Sequence, residues 1–179
     1  MNRLRIVGGE WRSRLIEFPD VEGMRPTPDR VRETLFNWLG QTLYGKTCLD
    51  LFAGSGALGF EALSRGAEQV LLVESSRDGV AALKQNAAKL AAQNLQIHHG
   101  DALQYLRGKP ALFDVVFLDP PYKLDLHAEL LKWLPSALKP DGVVYLEDDK
   151  PLVITAPWHI IKNSRAGKVY FALIKLENR

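Results

Sequence analysis

The sequence predicts an α/β fold whose mostly parallel sheet ends in a C-terminal antiparallel hairpin. From Thr47 to Glu147, short apolar runs alternate with segments of helical periodicity, and this alternation builds right-handed βαβ units. Near the C-terminus, two apolar runs are joined by only four residues, and so short a connection permits only antiparallel pairing. A chain of 179 residues can bury a core of its own without disulfides or metal.

Five central segments are predicted as strands of a parallel sheet. They are rich in Val, Ile and Leu and lack polar alternation, as expected for strands covered by helices on both faces. These segments are 47–52, 69–74, 95–99, 114–119 and 142–147. The helical segments between them are 58–65, 77–92, 102–107 and 126–138.

The two ends of the chain are predicted as additions to this sheet. The C-terminal hairpin pairs the apolar runs 158–163 and 168–175. A small N-terminal hairpin pairs 3–7 with 13–18, outside the main sheet. A helix then starts near Asp29, with Thr27 as its cap and Pro28 in its first turn. The expected units are an N-terminal hairpin extension at 1–24 and a main domain at 25–179.

Charge is spread unevenly along the chain. The net charge is +2 in residues 1–46, −5 in 47–149 and +5 in 150–179. Local clusters of Lys and Arg permit a polyanionic partner such as nucleic acid. The single Cys excludes an intrachain disulfide framework and a Cys-based zinc site. Without an apolar signal segment or a membrane-length apolar run, we expect a cytoplasmic protein with no membrane partner.

A glycine-rich segment follows the first predicted strand. Gly54, Gly56 and Gly59 match the pattern G-x-G-x-x-G. Glycine allows a sharp turn and close approach of a ligand, and the start of the next helix offers free N–H groups to an anionic group. A nucleotide-type ligand and a plain strand-to-helix turn both fit this pattern.

Acidic residues stand at the ends of the later strands. Glu74 ends the second strand, where a carboxylate can accept hydrogen bonds from both ribose hydroxyls, or can simply be solvated. Asp101 follows the third strand and can accept from an adenine amino group, or can cap the next helix. Ligands of open α/β sheets bind at these carboxyl ends. Residues 147–149, at the end of the fifth strand, are predicted as a solvated strand exit.

The fourth strand ends in the motif Asp119-Pro120-Pro121-Tyr122. Proline has no N–H, fixes its own φ and restricts the residue before it. The loop therefore offers only acceptors, and the Asp119 carboxylate and Pro120 carbonyl can converge on an exocyclic amine. The ring of Tyr122 offers a flat face on which a base can stack. The alternative is a rigid strand exit with a half-buried Tyr.

With these motifs the sequence resembles the S-adenosylmethionine-dependent amino-methyltransferases that carry a D/N-P-P-Y/F motif. More narrowly, it resembles the RsmD family of bacterial 16S rRNA guanine-N2 methyltransferases. The arginine-rich segment before the first strand is more specific than the glycine loop. Family members often carry Phe where Tyr122 stands, and both rings stack. The segments that carry the resemblance are 5–9 with Arg12 and Arg14, 25–27, 29–39, 49–56 and 119–122.

The resemblance implies a Rossmann-like class I methyltransferase fold with a seven-stranded sheet. It implies S-adenosylmethionine as cofactor, S-adenosylhomocysteine as product and no metal. The implied substrate is a guanine N2 amine in 16S rRNA, free or in a small-subunit assembly particle, and a monomer is expected. Asp119 would polarise and position the amine rather than act as a strong base. The expected catalytic residues are Asp119, Pro120, Pro121 and Tyr122, and the expected cofactor residues are Thr27, Asp50, Phe52, Gly54, Gly56, Glu74, Asp101 and Ala102.

The N-terminal hairpin is a candidate RNA-binding element. Strand alternation places Arg3 and Arg5 on one face and the apolar residues between them on the other. We hypothesise that four arginines and one tryptophan grip the RNA backbone, and the alternative is solvated charges with a packing tryptophan. These five residues are Arg3, Arg5, Trp11, Arg12 and Arg14.

Three other functions stay open at this point. A nicotinamide-dependent dehydrogenase would use the glycine loop and Glu74 but has no role for the Asp-Pro-Pro-Tyr motif. A methyltransferase for another amine, such as adenine N6 or a protein side chain, is opposed only by the N-terminal segment. A non-enzymatic RNA-binding module with an unused cofactor pocket would also show these residues.

Overall fold

The computed structural model describes residues 1–22 and 24–177. The predicted units 1–24 and 25–179 contain three residues outside the described ones, namely Gly23, Asn178 and Arg179. A two-stranded antiparallel sheet opens the chain and stands apart from the main sheet, as predicted; its strands are β1 (Asn2–Arg5) and β2 (Leu15–Phe18).

Seven strands form the main sheet. In chain order they are β3 (Thr47–Asp50), β4 (Gln69–Glu74), β5 (Leu95–His99), β6 (Phe113–Leu118), β7 (Leu138–Asp148), β8 (Trp158–Ala166) and β9 (Val169–Leu176). Their order across the sheet is β5-β4-β3-β6-β7-β9-β8. Strands β3 to β7 pair in parallel, whereas β9 is antiparallel to both β7 and β8. The predicted mostly parallel sheet with a C-terminal antiparallel hairpin is therefore confirmed.

Helices cover both faces of this sheet. They are α1 (Asp29–Trp38), α2 (Ala57–Ser64), α3 (Arg77–Lys89), α4 (Ala102–Arg107) and α5 (His127–Trp133). The larger core cluster joins α1, α2 and α3 to the N-terminal hairpin, and the smaller one packs α4 and α5 on the other face. Within the described residues the longest helix, α3, has 13 residues, and no helix is long and apolar enough to cross a membrane.

Two helices end several residues earlier than predicted, for identifiable reasons. The helix predicted over 126–138 ends at Trp133, because Pro135 lacks the N–H of the next helical turn, and a 3-10 turn replaces it. The helix predicted over 77–92 ends at Lys89, because Ala91 has a φ of 50° and cannot continue an α-helix.

A buried ion network fastens the N-terminal segment to the main domain. Arg32 in α1 is 1% exposed. Its Nε donates to the Thr27 carbonyl (3.1 Å), and its Nη1 donates to the Arg5 carbonyl (2.8 Å) and to Glu61 (3.3 Å). Glu61 in α2 also accepts the backbone N–H groups of residues 7–8. One arginine thus links the hairpin, α2 and the segment before α1.

The strand order determines where a site can form. The carboxyl ends of β3 to β7 open onto one edge, which we call the site edge, and the opposite edge is the far edge. Because β3 lies between β4 and β6, the segments that follow these three strands are neighbours at the site edge. The glycine loop therefore lies beside both Glu74 and the Asp-Pro-Pro-Tyr motif.

Candidate active site

The glycine loop makes a turn that other residues would obstruct. Gly54 and Gly56 have φ values of 53° and 83°, in the left-handed region that favours glycine. A Cβ on Gly56 would lie 2.6 Å from Phe60 and 2.8 Å from Leu83. The loop therefore folds closely onto α2 and α3, and the start of α2 faces the site edge.

Glu74 holds this loop in place. Its side chain is 9% exposed. Oε2 accepts the N–H of Gly54 (2.7 Å), and Oε1 accepts the N–H of Ser76 (2.9 Å). Each carboxylate oxygen has a second lone pair, so both can still accept from a ligand.

Asp50, at the end of β3, carries an unsatisfied buried oxygen. It is 1% exposed, and its Oδ1 is the one buried side-chain polar atom in the described residues without a hydrogen-bond partner. Burial, together with the charge of Glu74, raises the pKa of Asp50 to about 7, against the opposing N–H groups of Phe52 and Gly59. Orphaned buried polar atoms call for a missing donor, so this oxygen fits a ligand N–H or cation.

Asp119 lies beside two other carboxylates. It is half-buried at the end of β6. Burial, followed by the charges of Glu147 and Asp50, raises the pKa of Asp119 well above its usual range. The Oγ1 of Thr27 lies 3.5 Å from Asp119 Oδ2 and 3.2 Å from Glu147 Oε2. A hydroxyl has one hydrogen to donate, so Thr27 serves one carboxylate at a time.

The predicted solvated exit is wrong for Glu147, which is 3% exposed. Its Oε1 accepts the hydroxyl of Tyr122 (2.9 Å), and its Oε2 accepts those of Tyr145 (2.7 Å) and Thr27. Strand β7 continues to Asp148 and pairs with β9, so Glu147 stays inside the sheet on the face that also carries Tyr145. The period-2 spacing from a strongly apolar strand could have indicated this burial.

Two other predictions at the site edge are revised or refined. Thr27 does not cap α1, since Pro28 occupies the cap position and the Thr27 hydroxyl faces the carboxylates. Asp101 caps α4 by accepting the N–H of Gln104 (3.0 Å), which is the alternative that the sequence left open. Its side chain is exposed beside the end of β4.

Apart from Thr27, which precedes α1, the expected cofactor and catalytic residues lie at or just after the carboxyl ends of the neighbouring strands β3 to β6. Phe52 is half-buried after β3, and Ala102 is buried in the first turn of α4. Pro120 is buried and Pro121 is exposed after β6. Tyr122 starts a 3-10 turn with its ring half-buried. Glu147 and its partner Tyr145, which the prediction did not include, lie beside Tyr122 and Thr27.

The candidate RNA-binding residues lie elsewhere. Arg3 and Arg5 are exposed and Leu4 is buried between them, which confirms the predicted alternation. Arg3 forms an ion pair with Glu17 (Nε to Oε1, 3.1 Å). Trp11 is 9% exposed and belongs to the larger core cluster, so it packs and offers little surface to RNA.

Arg12 and Arg14 are placed at the far edge. The N–H of Trp11 donates to Ser64 Oγ (2.9 Å), and the Arg14 guanidinium donates to the Lys89 carbonyl (2.9 Å). Ser64 and Lys89 end α2 and α3, whose first residues lie at the site edge. At 1.5 Å per residue, the length of α3 separates these arginines from the site edge by roughly 20 Å.

The sheet order, the glycine loop after the central strand and the Asp-Pro-Pro-Tyr motif after its neighbour define a methyltransferase of the Rossmann-like class. The family model described as Conserved hypothetical protein 95 matches residues 4–175. The chain belongs to this family, the RsmD family that the sequence motifs resemble.

Its relatives agree over nearly the full length. The chain is 39% identical to Ribosomal RNA small subunit methyltransferase D of Escherichia coli, over 98% of this chain and 91% of that protein. It is 40% identical to the protein of the same name from Haemophilus influenzae, over 95% and 92% of the two chains. The solved structure of yhhF from Escherichia coli matches with a TM-score of 0.89 and 39% identity, over 99% of this chain and 100% of that one.

Proposed function

We propose that this chain transfers the methyl group of S-adenosylmethionine to the exocyclic N2 amine of a guanine in 16S rRNA. The main support for this proposal is the position of Asp119. Asp119 follows β6, which pairs with β3, and it therefore lies near Asp50 and its unsatisfied oxygen. The relatives named Ribosomal RNA small subunit methyltransferase D support small-subunit rRNA as the substrate. We expect a monomer that acts in the cytoplasm on rRNA or on a small-subunit particle.

The residues at the site edge fit a cationic cofactor. When bound, S-adenosylmethionine supplies an electrophilic methyl group on a sulfonium. Asp50 Oδ1 lacks a donor, so it can accept from the cofactor's ammonium group. Gly54 and Gly56 leave room for close approach, and both Glu74 oxygens can accept a ribose hydroxyl. The segment at Asp101 and Ala102 is the expected contact for adenine, together with Phe52.

The carboxylates of this edge make cation binding more favourable. Burial disfavours the charged forms of Asp50, Asp119 and Glu147, and repulsion by neighbouring charges, of Glu74 on Asp50 and of Glu147 and Asp50 on Asp119, adds to this effect. A positively charged ligand lowers this repulsion. A nicotinamide cofactor brings a pyrophosphate to such a loop, and four carboxylates oppose it. The electrostatics therefore favour S-adenosylmethionine over the dehydrogenase alternative.

Asp119 and Pro120 are the groups proposed to hold the target amine. Neither proline can donate a hydrogen bond, so the loop presents the Asp119 carboxylate and the Pro120 carbonyl as acceptors for the two amine hydrogens. Two acceptors favour the pyramidal nitrogen, whose lone pair is then available for in-line attack. Alignment of the reacting atoms supplies most of the rate enhancement. The N–C bond forms as the C–S bond breaks.

The amine proton leaves after this step. It becomes acidic once the nitrogen carries the methyl group, so no strong base is needed. Asp119, whose pKa is raised by burial and by Glu147, can take this proton and pass it to solvent. Tyr122 is held by its hydrogen bond to Glu147, so its ring is positioned to stack on the base.

Transfer of labelled methyl groups tests this proposal. We expect label in deproteinised rRNA or small subunits, and none in DNA or protein. Asp119→Ala should abolish incorporation, whereas Asp149→Ala, an exposed carboxylate at the same edge, should retain it. Label in DNA or protein would favour another amine acceptor.

Ligand binding separates the remaining alternatives. S-Adenosylhomocysteine at 100 times its dissociation constant should raise the free energy of unfolding by about 2.7 kcal/mol, and NAD should not. Stabilisation by NAD alone would favour the dehydrogenase. Binding of S-adenosylhomocysteine without methyl transfer to any acceptor would favour the RNA-binding module.

A further inference from the structure

The turn between β8 and β9 lies at the site edge. Tyr170 pairs with Asp148 at the carboxyl end of β7 and with Arg165 near the end of β8. We call residues 165–170 the hairpin tip. Three strand spacings of about 4.8 Å separate β8 from β6, so the tip is roughly 15 Å from the end of the strand that precedes Asp119.

Strand β8 is exposed on both faces. After Trp158, which is 6% exposed, every side chain from His159 to Arg165 is exposed. A strand that only completes a core buries alternate side chains. The outer part of the hairpin therefore contributes little to the core and presents its side chains to solvent.

The cations of this hairpin are free at the site edge and paired at the far edge. Lys162, Arg165 and Lys168 form no ion pair within residues 1–22 and 24–177, whereas Lys175, toward the far edge, pairs with Asp141 (3.2 Å). Asp148, in register with Tyr170 and hence with Arg165, has its carboxylate 3.4 Å from His127 Nδ1.

Arg165 is also held in a defined position. Its guanidinium lies 4.8 Å from the centre of the Tyr170 ring, and its Nε donates to the Gly167 carbonyl (2.8 Å). In the described residues its Nη atoms make no hydrogen bond. A guanidinium fixed on an aromatic ring with free N–H groups is suited to bind a phosphate.

We propose that the hairpin tip binds the phosphate backbone of the substrate RNA next to the target nucleotide, through Arg165 and Lys168. This inference rests on the proposed function. The tip shares an edge with Asp119, whereas Arg12 and Arg14 lie at the far edge. An RNA strand whose base enters the site passes within reach of the tip, because successive phosphates of an extended strand span this distance in two or three nucleotides.

A double variant tests the proposal. Arg165→Gln with Lys168→Gln removes two charges from the tip, and Arg12→Gln with Arg14→Gln removes two charges from the far edge as a matched control. Binding of deproteinised 16S rRNA is measured by filter retention from 0.05 to 0.3 M salt. Two lost phosphate contacts should reduce the slope of log K against log salt by about 1.5 and weaken binding about 30-fold at 0.1 M salt.

The far-edge control should lose less rRNA affinity than the tip variant. The exchange of Arg165→Lys with Lys168→Arg should retain the salt slope, because both charges remain. Thermal unfolding and S-adenosylhomocysteine binding should be unchanged in the tip variant. Unchanged rRNA affinity and slope would overturn the proposal. So would weaker binding only to assembled small subunits, which would assign the tip to a ribosomal protein.

Methyl transfer by the wild-type chain distinguishes this inference from the function on which it rests. If the wild type methylates rRNA but the tip variant binds and methylates equally well, the inference alone fails. If the wild type transfers no label to rRNA, the proposed function fails, whatever the salt slopes show.

Discussion

At the scale of single residues, Glu147 organises the side chains around Asp119 at the site edge. It accepts hydrogen bonds from the hydroxyls of Thr27, Tyr122 and Tyr145. Burial, and then the charge of Glu147, raise the pKa of Asp119. Through these contacts it positions the ring of Tyr122 and the threonine that reaches Asp119. It acts through these side chains, and we regard it as a positioning residue.

Replacing this carboxylate tests that role. Glu147→Gln keeps the shape but puts an NH2 group against hydroxyls that need an acceptor, so we expect kcat to fall roughly 10- to 100-fold, the range that losing a charged hydrogen bond of about 1.5–3 kcal/mol gives. The KM for S-adenosylmethionine should change little. Asp149→Asn is the control, and steady-state methyl transfer is the assay. An unchanged kcat would contradict the role.

The raised pKa of Asp50 predicts how the free energy of unfolding depends on pH. Its pKa is about 7 in the folded chain and near 3.8 when unfolded. Between these values the folded state binds a proton that the unfolded state has released, so the free energy of unfolding contributed by Asp50 falls as pH rises from about 4 to 7. Three pKa units correspond to at most about 4 kcal/mol.

Urea unfolding of the wild type and of Asp50→Asn at pH 5 and pH 7.5 measures this effect. We expect the variant to gain stability relative to the wild type as pH rises. The same electrostatics predict that S-adenosylmethionine stabilises the wild type more at pH 7.5 than at pH 5. Parallel stability profiles for the two proteins would refute the assignment to Asp50.

Two of the site residues predicted from the sequence share one property. Glu74 and Asp119 directly end predicted strands, so the rule that ligands bind at carboxyl ends applies to them. Glu147 also ends a predicted strand, but two aspartates follow it, and a run of three acidic residues is typical of a solvent-exposed segment. The contact of Thr27 could not be predicted, because it depends on how the segment before α1 lies against the end of β7.

At the scale of elements, the buried pair of Arg32 and Glu61 ties the hairpin to α2. Arg32→Gln leaves the Glu61 carboxylate with less charge compensation at 0% exposure, so we expect the free energy of unfolding to fall by about 3 kcal/mol. Arg30→Gln, exposed on the same helix, is the control and should change little. Denaturant unfolding measures both, and a loss below about 1 kcal/mol for Arg32→Gln would be inconsistent with this coupling.

The glycine loop allows a matched comparison of two glycines. Gly45 and Gly56 have similar φ values of 75° and 83°, but a Cβ on Gly45 meets nothing within 4 Å. Gly45→Ala should therefore cost only backbone strain, about 1 kcal/mol, whereas Gly56→Ala adds the clash with Phe60 and should cost more.

Gly56→Ala should also weaken S-adenosylhomocysteine binding, which isothermal titration measures, while Gly45→Ala should leave it unchanged. Equal stability and equal affinity in the two variants would show that the tight turn at Gly56 is not required. A loss of affinity in Gly45→Ala would point instead to a general effect of destabilisation.

Element prediction succeeded where one signal dominated. The strands at 69–74 and 95–99 and the helix at 102–107 match the structure, because apolar runs or periodicity there are bounded by polar residues. Strand β7 starts at Leu138, earlier than predicted. Leu138 pairs with Phe113, the register then shifts, and pairing with β6 resumes at Val143. The early start was not predicted because the intervening Lys-Pro-Asp-Gly segment is more typical of a turn.

At the scale of the whole molecule, the order of the strands brings the chemistry together. Alternating strands and helices predict a parallel sheet, but many strand orders satisfy that pattern. The crossover that places β6 next to β3 puts Asp119 beside the glycine loop, and it depends on packing across the sheet. The family resemblance predicted a seven-stranded methyltransferase sheet, and the structure gives the order of its strands.

The position of the strongly basic C-terminal segment also depends on how the strands pair. The sequence shows a charge of +5 after residue 149, but only the antiparallel register of β8 and β9 places Arg165 and Lys168 near the site. The N-terminal arginines, which the sequence analysis named as candidate RNA contacts, lie partly at the far edge. We therefore expect charge removal at the C-terminal hairpin to affect RNA binding more than charge removal at residues 12–14.

Nucleoside analysis identifies the atom that receives the methyl group. Small-subunit rRNA is incubated with the enzyme and isotopically labelled S-adenosylmethionine, digested to nucleosides and analysed by mass spectrometry. If Asp119 and Pro120 hold a guanine amine against the cofactor, the label appears as N2-methylguanosine and is lost in Asp119→Ala. Label in N6-methyladenosine, or N2-methylguanosine that persists in Asp119→Ala, would contradict the account.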